Sequence, residues 1–244
     1  MKLIETNLNL RIEKGLTAND YVLSEKIGER QLDLEGDIYA NVEFMDCINE
    51  GYHRLFALAG FQEYRMTDEK GRGILCEIRK EYDAEVQFQM EDPHLLHLRI
   101  KEKENFIDLI TIRILVGKGD EADYKDRREQ WMRVLAYLRS LKDCSHVVLN
   151  GDFNHGVIRD DPRQYRSRPR SYYNYQMIVE ELALLHLDLI PMEGMSYKGY
   201  MKVDHVFVGS QIKVREAFYE ELFKGITQIG VPDHSCMLVG LEMK

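Results

Sequence analysis

Residues able to hold a metal or a phosphate close apolar runs at four places along this chain. "LIETNLN" delivers Asn7, "DIYANVE" closes on Glu43, and "VVLNGDFNH" stops at Asp152 and Asn154 just after Gly151. The fourth place is a pair of segments, "KVDHVFV" with Asp204 and "VPDHSCMLV" with Asp233 and His234. Singly, each has a plain structural reading: an Asx turn at Asp152 and Asn154, a backbone contact for Asn7, a satisfied histidine at 234. Together, one Glu, three Asp, two Asn and one His on strand ends are what a hard divalent cation plus a phosphate need. Mg²⁺ takes one or two carboxylates and leaves room for substrate. A further carboxylate can deprotonate a water, while amide and imidazole donors steady the charge on phosphorus.

The elements that must position these groups can be read from periodicity. "KLIETNL" and "DIYANVEF" read as strands, as do "GILCEIRKEY", "AEVQFQM", "HLLHLRIKE" and "NFIDLITIRILV", the last four joined by short polar connections as in an antiparallel run. Helices are expected from Thr17 or Asn19 to near Gly36, and over "CINEGYHRLFALAG", ending at Gly60. "DYKDRREQWMRVLAYLRSLKD" is the clearest helix, with Trp131, Val134, Leu135, Leu138 and Leu141 on one face. "YQMIVEELALLHL" is another, with Ile178, Leu182 and Leu185 aligned, and "KVDHVFVGSQIKVREAF" and "CMLVGLEMK" are strand-like. Antiparallel strands with interspersed helices point to an α+β chain, sheet on sheet with helices outside, in one domain over residues 1–244.

Composition bounds the partners. A chain of 244 residues, 44% hydrophobic and 31% charged, can bury a sizeable core. A net charge of -9 argues against a general nucleic-acid coat, which needs a broad basic surface, but leaves room for a local basic groove. The four cysteines, Cys47, Cys76, Cys144 and Cys236, have neither zinc-site nor disulfide spacing, as expected for reduced thiols in the cytoplasm. The opening segment does not read as a signal peptide. "FIDLITIRILV" is too short and too charged to span a bilayer.

In this order and spacing the segments resemble the endonuclease/exonuclease/phosphatase superfamily over nearly the whole chain. "MKLIETNL" is similar to its first strand, "GDIYANVE" to its P-D-I-x-x-L-Q-E strand, and "VVLNGDFN" to its G-D-x-N box. "KVDHVFV" resembles its R-I-D-Y-I-F strand, and "VPDHSCMLVGLEM" its S-D-H box. The resemblance implies a four-layer αββα sandwich with the site at one edge of two mostly antiparallel sheets. It implies Mg²⁺, with Mn²⁺ as a substitute, held by Glu43 with Asn7 beside it and Asp233 at the metal side. Asp152 would orient or deprotonate the attacking water for in-line displacement, and Asn154 would bind the phosphate. His234, its ring held by Asp204, would donate to a phosphate oxygen. Arg113 stands where the family often has His or Tyr. It can grip a phosphate or pair with a carboxylate, but it cannot hand over a proton. Val42 in place of Gln, and Thr6 where Trp is common, depart from the family pattern as well. His155 and His205 read as loop and strand neighbours rather than ligands, and the "HLLH" pair, His94 and His97, with no metal partner nearby in sequence, reads as incidental.

The stretch after the box, "VIRDDPRQYRSRPRSYYNYQ", interleaves Arg159, Arg163, Arg166, Arg168 and Arg170 with Tyr165, Tyr172, Tyr173 and Tyr175. Arginines can track a phosphate backbone while tyrosines stack on unpaired bases. A solvated charged loop has the same composition. The expected function is a Mg²⁺-dependent nuclease on DNA or RNA. The alternatives are a phosphatase or phosphodiesterase on a small or lipid-linked phosphate, such as an inositol phosphate or a nucleotide, and a binding module that has lost its chemistry. An Arg113–Glu43 salt bridge that excluded metal would favour the last.

Overall fold

The computed structural model describes residues 1–10, 25–46, 50–159, 175–223 and 231–244. The described elements are β1 (Lys2–Asn7), α1 (Glu25–Leu32), β2 (Ile38–Met45), α2 (Glu50–Leu58), β3 (Phe61–Thr67), β4 (Arg72–Arg79), β5 (Asp83–Met90), β6 (His94–Glu102), β7 (Asn105–Arg113), α3 (Glu121–Ser140), β8 (Val147–Ile158), α4 (Tyr175–Ala183), β9 (Asp188–Leu189), β10 (Met201–Val208), β11 (Ile212–Glu220) and β12 (Cys236–Met243). They form two six-stranded sheets, ordered β11-β12-β1-β2-β4-β3 and β5-β6-β7-β8-β10-β9.

Each sheet has one parallel pair, β1 with β2 and β7 with β8, and is otherwise antiparallel. Parallel neighbours need a crossover connection, and α1 and α3 lie in those two connections. The C-terminal ends of β1, β2, β7 and β8 thereby emerge on one rim. β10 and β12 run antiparallel to β8 and β1, so Asp204 sits opposite Asp152 and the start of β12 lies beside the end of β1. All the sequence-flagged strand ends meet there.

The strand period of two sorts the side chains into layers. Leu3, Ile38, Ala40 and Val42 of the first sheet interleave with Leu96, Leu98, Leu109, Val148 and Val206 of the second. The outer face of the first sheet packs under α1 and α2 through Ile4, Tyr39, Phe56 and Phe61. The outer face of the second packs under α3 and α4 through Ile110, Trp131, Leu135, Ile178 and Phe207. The result is four layers, helices outside two sheets. Each of these fully buried large apolar side chains contributes roughly 1.5–3 kcal/mol.

Several local readings change. The segment "FQEYRMT" forms edge strand β3, and "KVDHVFVGSQIKVREAF" folds into two strands, β10 and β11, that belong to different sheets. α3 starts two residues before the expected "DYKD", because Asp120 caps it by accepting the Asp123 N–H. Leu141 is its C-cap and packs, partly buried, against the same core. The expected helix start at residues 17–19 lies outside the described residues, as does Cys47.

Candidate active site

β8 supplies the centre of the site. Val148, Asn150 and Asp152 alternate on the face between the sheets, so Asp152 follows a buried row to the rim. Gly151 has φ +124°, and a Cβ there would lie 2.1 Å from the Ile112 carbonyl oxygen, so only glycine lets β8 run this close to β7. Asn154 turns into the left-handed region at φ 47°. Its backbone N–H donates to Asp152 Oδ1 at 2.9 Å, and its Nδ2 donates to Asp152 Oδ2 at 2.9 Å and to the Ile114 carbonyl at 2.7 Å. The aspartate is therefore held on both oxygens by the asparagine two residues on.

Asp204 and His234 make the second pair. His234 Nδ1 lies 2.7 Å from Asp204 Oδ2, which fixes the ring and leaves Nε2 on the other side. Asn7 stands between the pairs, its Nδ2 3.5 Å from both Asp152 Oδ2 and His234 Nε2. Burial, and next the charge of Asp204, push Asp152 up to about 7, against the pull of His234 and Arg113. For His234 burial acts downward, but the charge and hydrogen bond of Asp204 outweigh it and raise the ring to about 10. At neutral pH the site thus holds a carboxyl poised near its titration point beside an imidazolium.

Glu43 reaches the rim through a break in β2. Ile38, Ala40 and Val42 face inward, so regular alternation would turn residue 43 to the outer face. A register shift between Asn41 and Phe44, with Glu43 at φ 52°, redirects it towards the second sheet. There its Oε1 meets Arg113 Nη2 at 2.5 Å. Arg113 in turn is the direct neighbour of Asp152 in the β7–β8 register. Glu43, Arg113, Asp152, Asn154, Asp233 and His234 line one pocket of about 420 Å³, with His94, Arg72 and Tyr197 on its walls.

No protein-family model and no curated protein sequence matches this chain. Solved structures do. An endonuclease/exonuclease/phosphatase family protein from Leptotrichia buccalis superposes with a TM-score of 0.61 at 16% identity, over 100% of both chains. D. rerio TDP2 complexed with single-strand DNA product gives 0.60 at 13%, over 100% of this chain and 99% of that one. ANGEL2, a 2',3'-cyclic phosphatase in complex with adenosine-2',3'-vanadate, gives 0.63 at 13%, over 99% and 95%. The fold is that of the endonuclease/exonuclease/phosphatase proteins. At these identities the likeness is one of fold.

On this endonuclease/exonuclease/phosphatase fold the structure brings together Asn7, Glu43, Arg113, Asp152, Asn154, Asp204, Asp233 and His234. Asp233 lies 4.0 Å from Lys198 Nζ and from His234 Nε2. Arg159 is exposed just past β8, its N–H on the Tyr200 carbonyl. Arg163, Tyr165, Arg166, Arg168, Arg170, Tyr172 and Tyr173 lie outside the described residues. Tyr175 is not a stacking platform: it is buried and stacked on His205 at 4.5 Å.

Two site residues escape the sequence reading. His94, taken there as incidental, is 1% exposed on the pocket wall, held down to about 4 by burial and by Arg113, and so neutral. Glu5 is fully buried, both carboxyl oxygens lacking a hydrogen-bond partner, and burial followed by the charge of Asp204 pushes it well above the ordinary carboxyl range. A glutamate in the middle of a wholly buried strand was the available signal. His97 and His205 are structural, the first on Tyr137 and Asp108, the second on the His155 carbonyl.

The resemblance noted from the sequence implies a divalent cation, and the donors present fit one in kind. Glu43, Asp152 and Asp233 offer carboxylate oxygens and Asn7 an amide oxygen, the ligands a hard dication takes. Three of these are already engaged: Glu43 Oε1 by Arg113, Asn7 Oδ1 by the Asn9 N–H at 2.8 Å, and Asp152 on both oxygens by Asn154. A cation bound at Glu43 must share or displace the guanidinium.

Proposed function

We propose that this protein is a divalent-metal-dependent phosphodiesterase of the cytoplasm that hydrolyses nucleic acid. The observation that carries the reading is the convergence of the Asp152–Asn154 and Asp204–His234 pairs on one pocket. Mg²⁺, or Mn²⁺ in its place, held by Glu43 and Asn7 with Asp233 alongside, would neutralise phosphate charge when bound. Asp152, fixed by Asn154, takes the proton of the attacking water. His234 donates from Nε2 to a non-bridging phosphate oxygen, and Asp204 keeps the ring protonated at Nδ1 and correctly turned. Asn154 acts by positioning Asp152, because both of its Nδ2 contacts are spent within the protein. Arg113 holds Glu43 and carries positive charge beside Asp152.

Nucleic acid is favoured as substrate by the Arg- and Tyr-rich segment that follows β8 and by the neighbours on this fold, TDP2 with single-strand DNA and ANGEL2 with an adenosine vanadate. Among the described residues no helix is long and apolar enough to cross a membrane. Cys76, Cys144 and Cys236 are free thiols, which suits a reducing compartment. A second reading, a binding module without turnover, draws on the Arg113–Glu43 contact at 2.5 Å.

The test is cleavage of labelled single- and double-stranded DNA and RNA with Mg²⁺ or Mn²⁺, with EDTA and Asp152→Asn controls, beside a small chromogenic phosphodiester. Metal-dependent cutting of a polymer, lost in Asp152→Asn, is the expected result. Replacing Arg163, Arg166, Arg168 and Arg170 together by Ala should abolish polymer cutting while the small diester is still turned over. Turnover of small phosphates alone would move the substrate to that class. Binding of nucleic acid with no turnover under any metal would leave the binding module.

A further inference from the structure

The outer face of the first sheet carries a second cluster that the chemistry above does not use. Glu63 on β3 and Glu77 on β4 are direct cross-strand neighbours, and like charges in that register repel. His53 of α2 closes over them, with Nδ1 2.5 Å from Glu63 Oε2 and 3.9 Å from Glu77 Oε1. Glu77 is 2% exposed, and its Oε1 is buried with no hydrogen-bond partner, since 3.9 Å is too long for one. The contact of His53 Nδ1 with Glu63 is short but lacks hydrogen-bond alignment. Two buried polar atoms therefore face the same point without a directional partner, an arrangement that costs stability unless something sits between them. Among the described residues one other cation is near: Arg65 Nε, 3.6 Å from Glu63 Oε1, its Nη1 on Asp46.

We propose that His53 Nδ1, Glu63 Oε2 and Glu77 Oε1 form a binding site for a borderline divalent cation, Zn²⁺ or Mn²⁺, separate from the phosphate pocket. One ligand atom from each of the three residues lies within 4.8 Å of the other two. Ligands about 2.1 Å from a tetrahedral zinc stand about 3.4 Å apart, so on binding the imidazole eases away from Glu63 and towards Glu77. One imidazole with two carboxylates favours zinc or manganese over Mg²⁺ or Ca²⁺, which take oxygen alone. His53 and Glu63 are partly exposed, which admits the ion and leaves a coordination position for water. Bound there, the ion ties α2 to β3 and β4 and removes the repulsion between the glutamates. Without it a proton on His53 does part of that work. Burial lowers that imidazole's proton affinity, but Glu63 and Glu77 more than offset the effect and raise it to about 9.

The test uses the full chain carrying Glu43→Gln and Asp152→Asn, so that the phosphate pocket cannot supply the binding. Zn²⁺ and Mn²⁺ are titrated calorimetrically, and Co²⁺ is followed by its visible absorption as a spectroscopic stand-in. One equivalent of Zn²⁺ should bind and raise the Tm, and affinity should fall by about tenfold or more in His53→Gln and in Glu77→Gln. Glu63→Gln, at a more exposed position, covers the case in which Glu77→Gln does not fold. No Zn²⁺ or Mn²⁺ binding by the parent, or binding unchanged by His53→Gln and Glu63→Gln, overturns the proposal.

Discussion

At the residue scale, the behaviour of the site rests on two groups moved far from their ordinary titration ranges. In the proposed mechanism Asp152 must be ionised to accept a proton, and His234 must be protonated to donate. With Asp152 at about 7 and His234 at about 10, kcat/KM should rise through neutrality, level off, and fall again on the alkaline side. A profile already flat well below neutrality would remove Asp152 as the base. Stability follows the same shifts. A folded-state value raised above the unfolded one gives stabilisation that is complete below the unfolded value and lost as pH rises through the folded one. For His234 that window runs from about 6.5 to about 10, so the protein should lose resistance to urea across it, and His234→Gln should flatten the slope. Arg113 makes a separate prediction. Its permanent charge opposes a dication at Glu43, so Arg113→Gln should tighten Mn²⁺ binding by about tenfold, read by electron paramagnetic resonance. An unchanged affinity would place the cation away from Glu43. Asp152, Asn154, Asp204 and His234 were legible because each sits in a short local pattern at a strand end. Glu5 and His94 were not, since their part in the site comes only from strands distant in the chain.

At the element scale, the site depends on a few departures from regular strand geometry. Glu43 faces Arg113 only because β2 shifts register, and β8 passes β7 only because residue 151 has no side chain. Gly151→Ala combines an unfavourable φ with a Cβ against backbone, a mechanism worth roughly 2–4 kcal/mol. Urea denaturation should show that loss, and activity should fall with it because Asp152 is the next residue. A change below about 0.5 kcal/mol would mean that β8 can move away from β7 freely. Glycine at 151 could be read from the G-D-x-N pattern, but the bulge at 43 has no sequence mark of its own. Edge strand β3 escaped notice for a related reason. "FQEYRMT" buries only Phe61 and Met66 and gives a weak alternation, so its pairing with β4 decides its state. β10 and β11 ran together because Gly209, Ser210 and Gln211 join two strands that belong to opposite sheets.

At the scale of the molecule, the proposed catalytic groups are divided between the sheets. Asn7 and Glu43 come from the first, Arg113, Asp152 and Asp204 from the second, and His234 from the approach to β12 in the first. Their distances therefore hold only while the sheets stay packed. That packing is one core to which both inner faces contribute, with Leu3, Ile38 and Val42 meeting Leu98, Leu109 and Val206. Neither sheet can cover its inner face alone, and so residues 1–244 are proposed to unfold as a single cooperative unit. Trp131 offers a clean test, being the chain's one tryptophan and packing from α3 against the outer face of the second sheet. Its fluorescence reports that layer, while far-ultraviolet circular dichroism reports both sheets. The two signals should change together in urea, with the same midpoint. Leu98→Ala, which opens the shared core, should shift both midpoints equally at a cost of about 2–5 kcal/mol. If Trp131 fluorescence changed at a lower urea concentration than the dichroism, the second sheet would be releasing first. The rim would then be an interface between two units, and cation or phosphate bound there should raise the earlier midpoint and leave the later one in place.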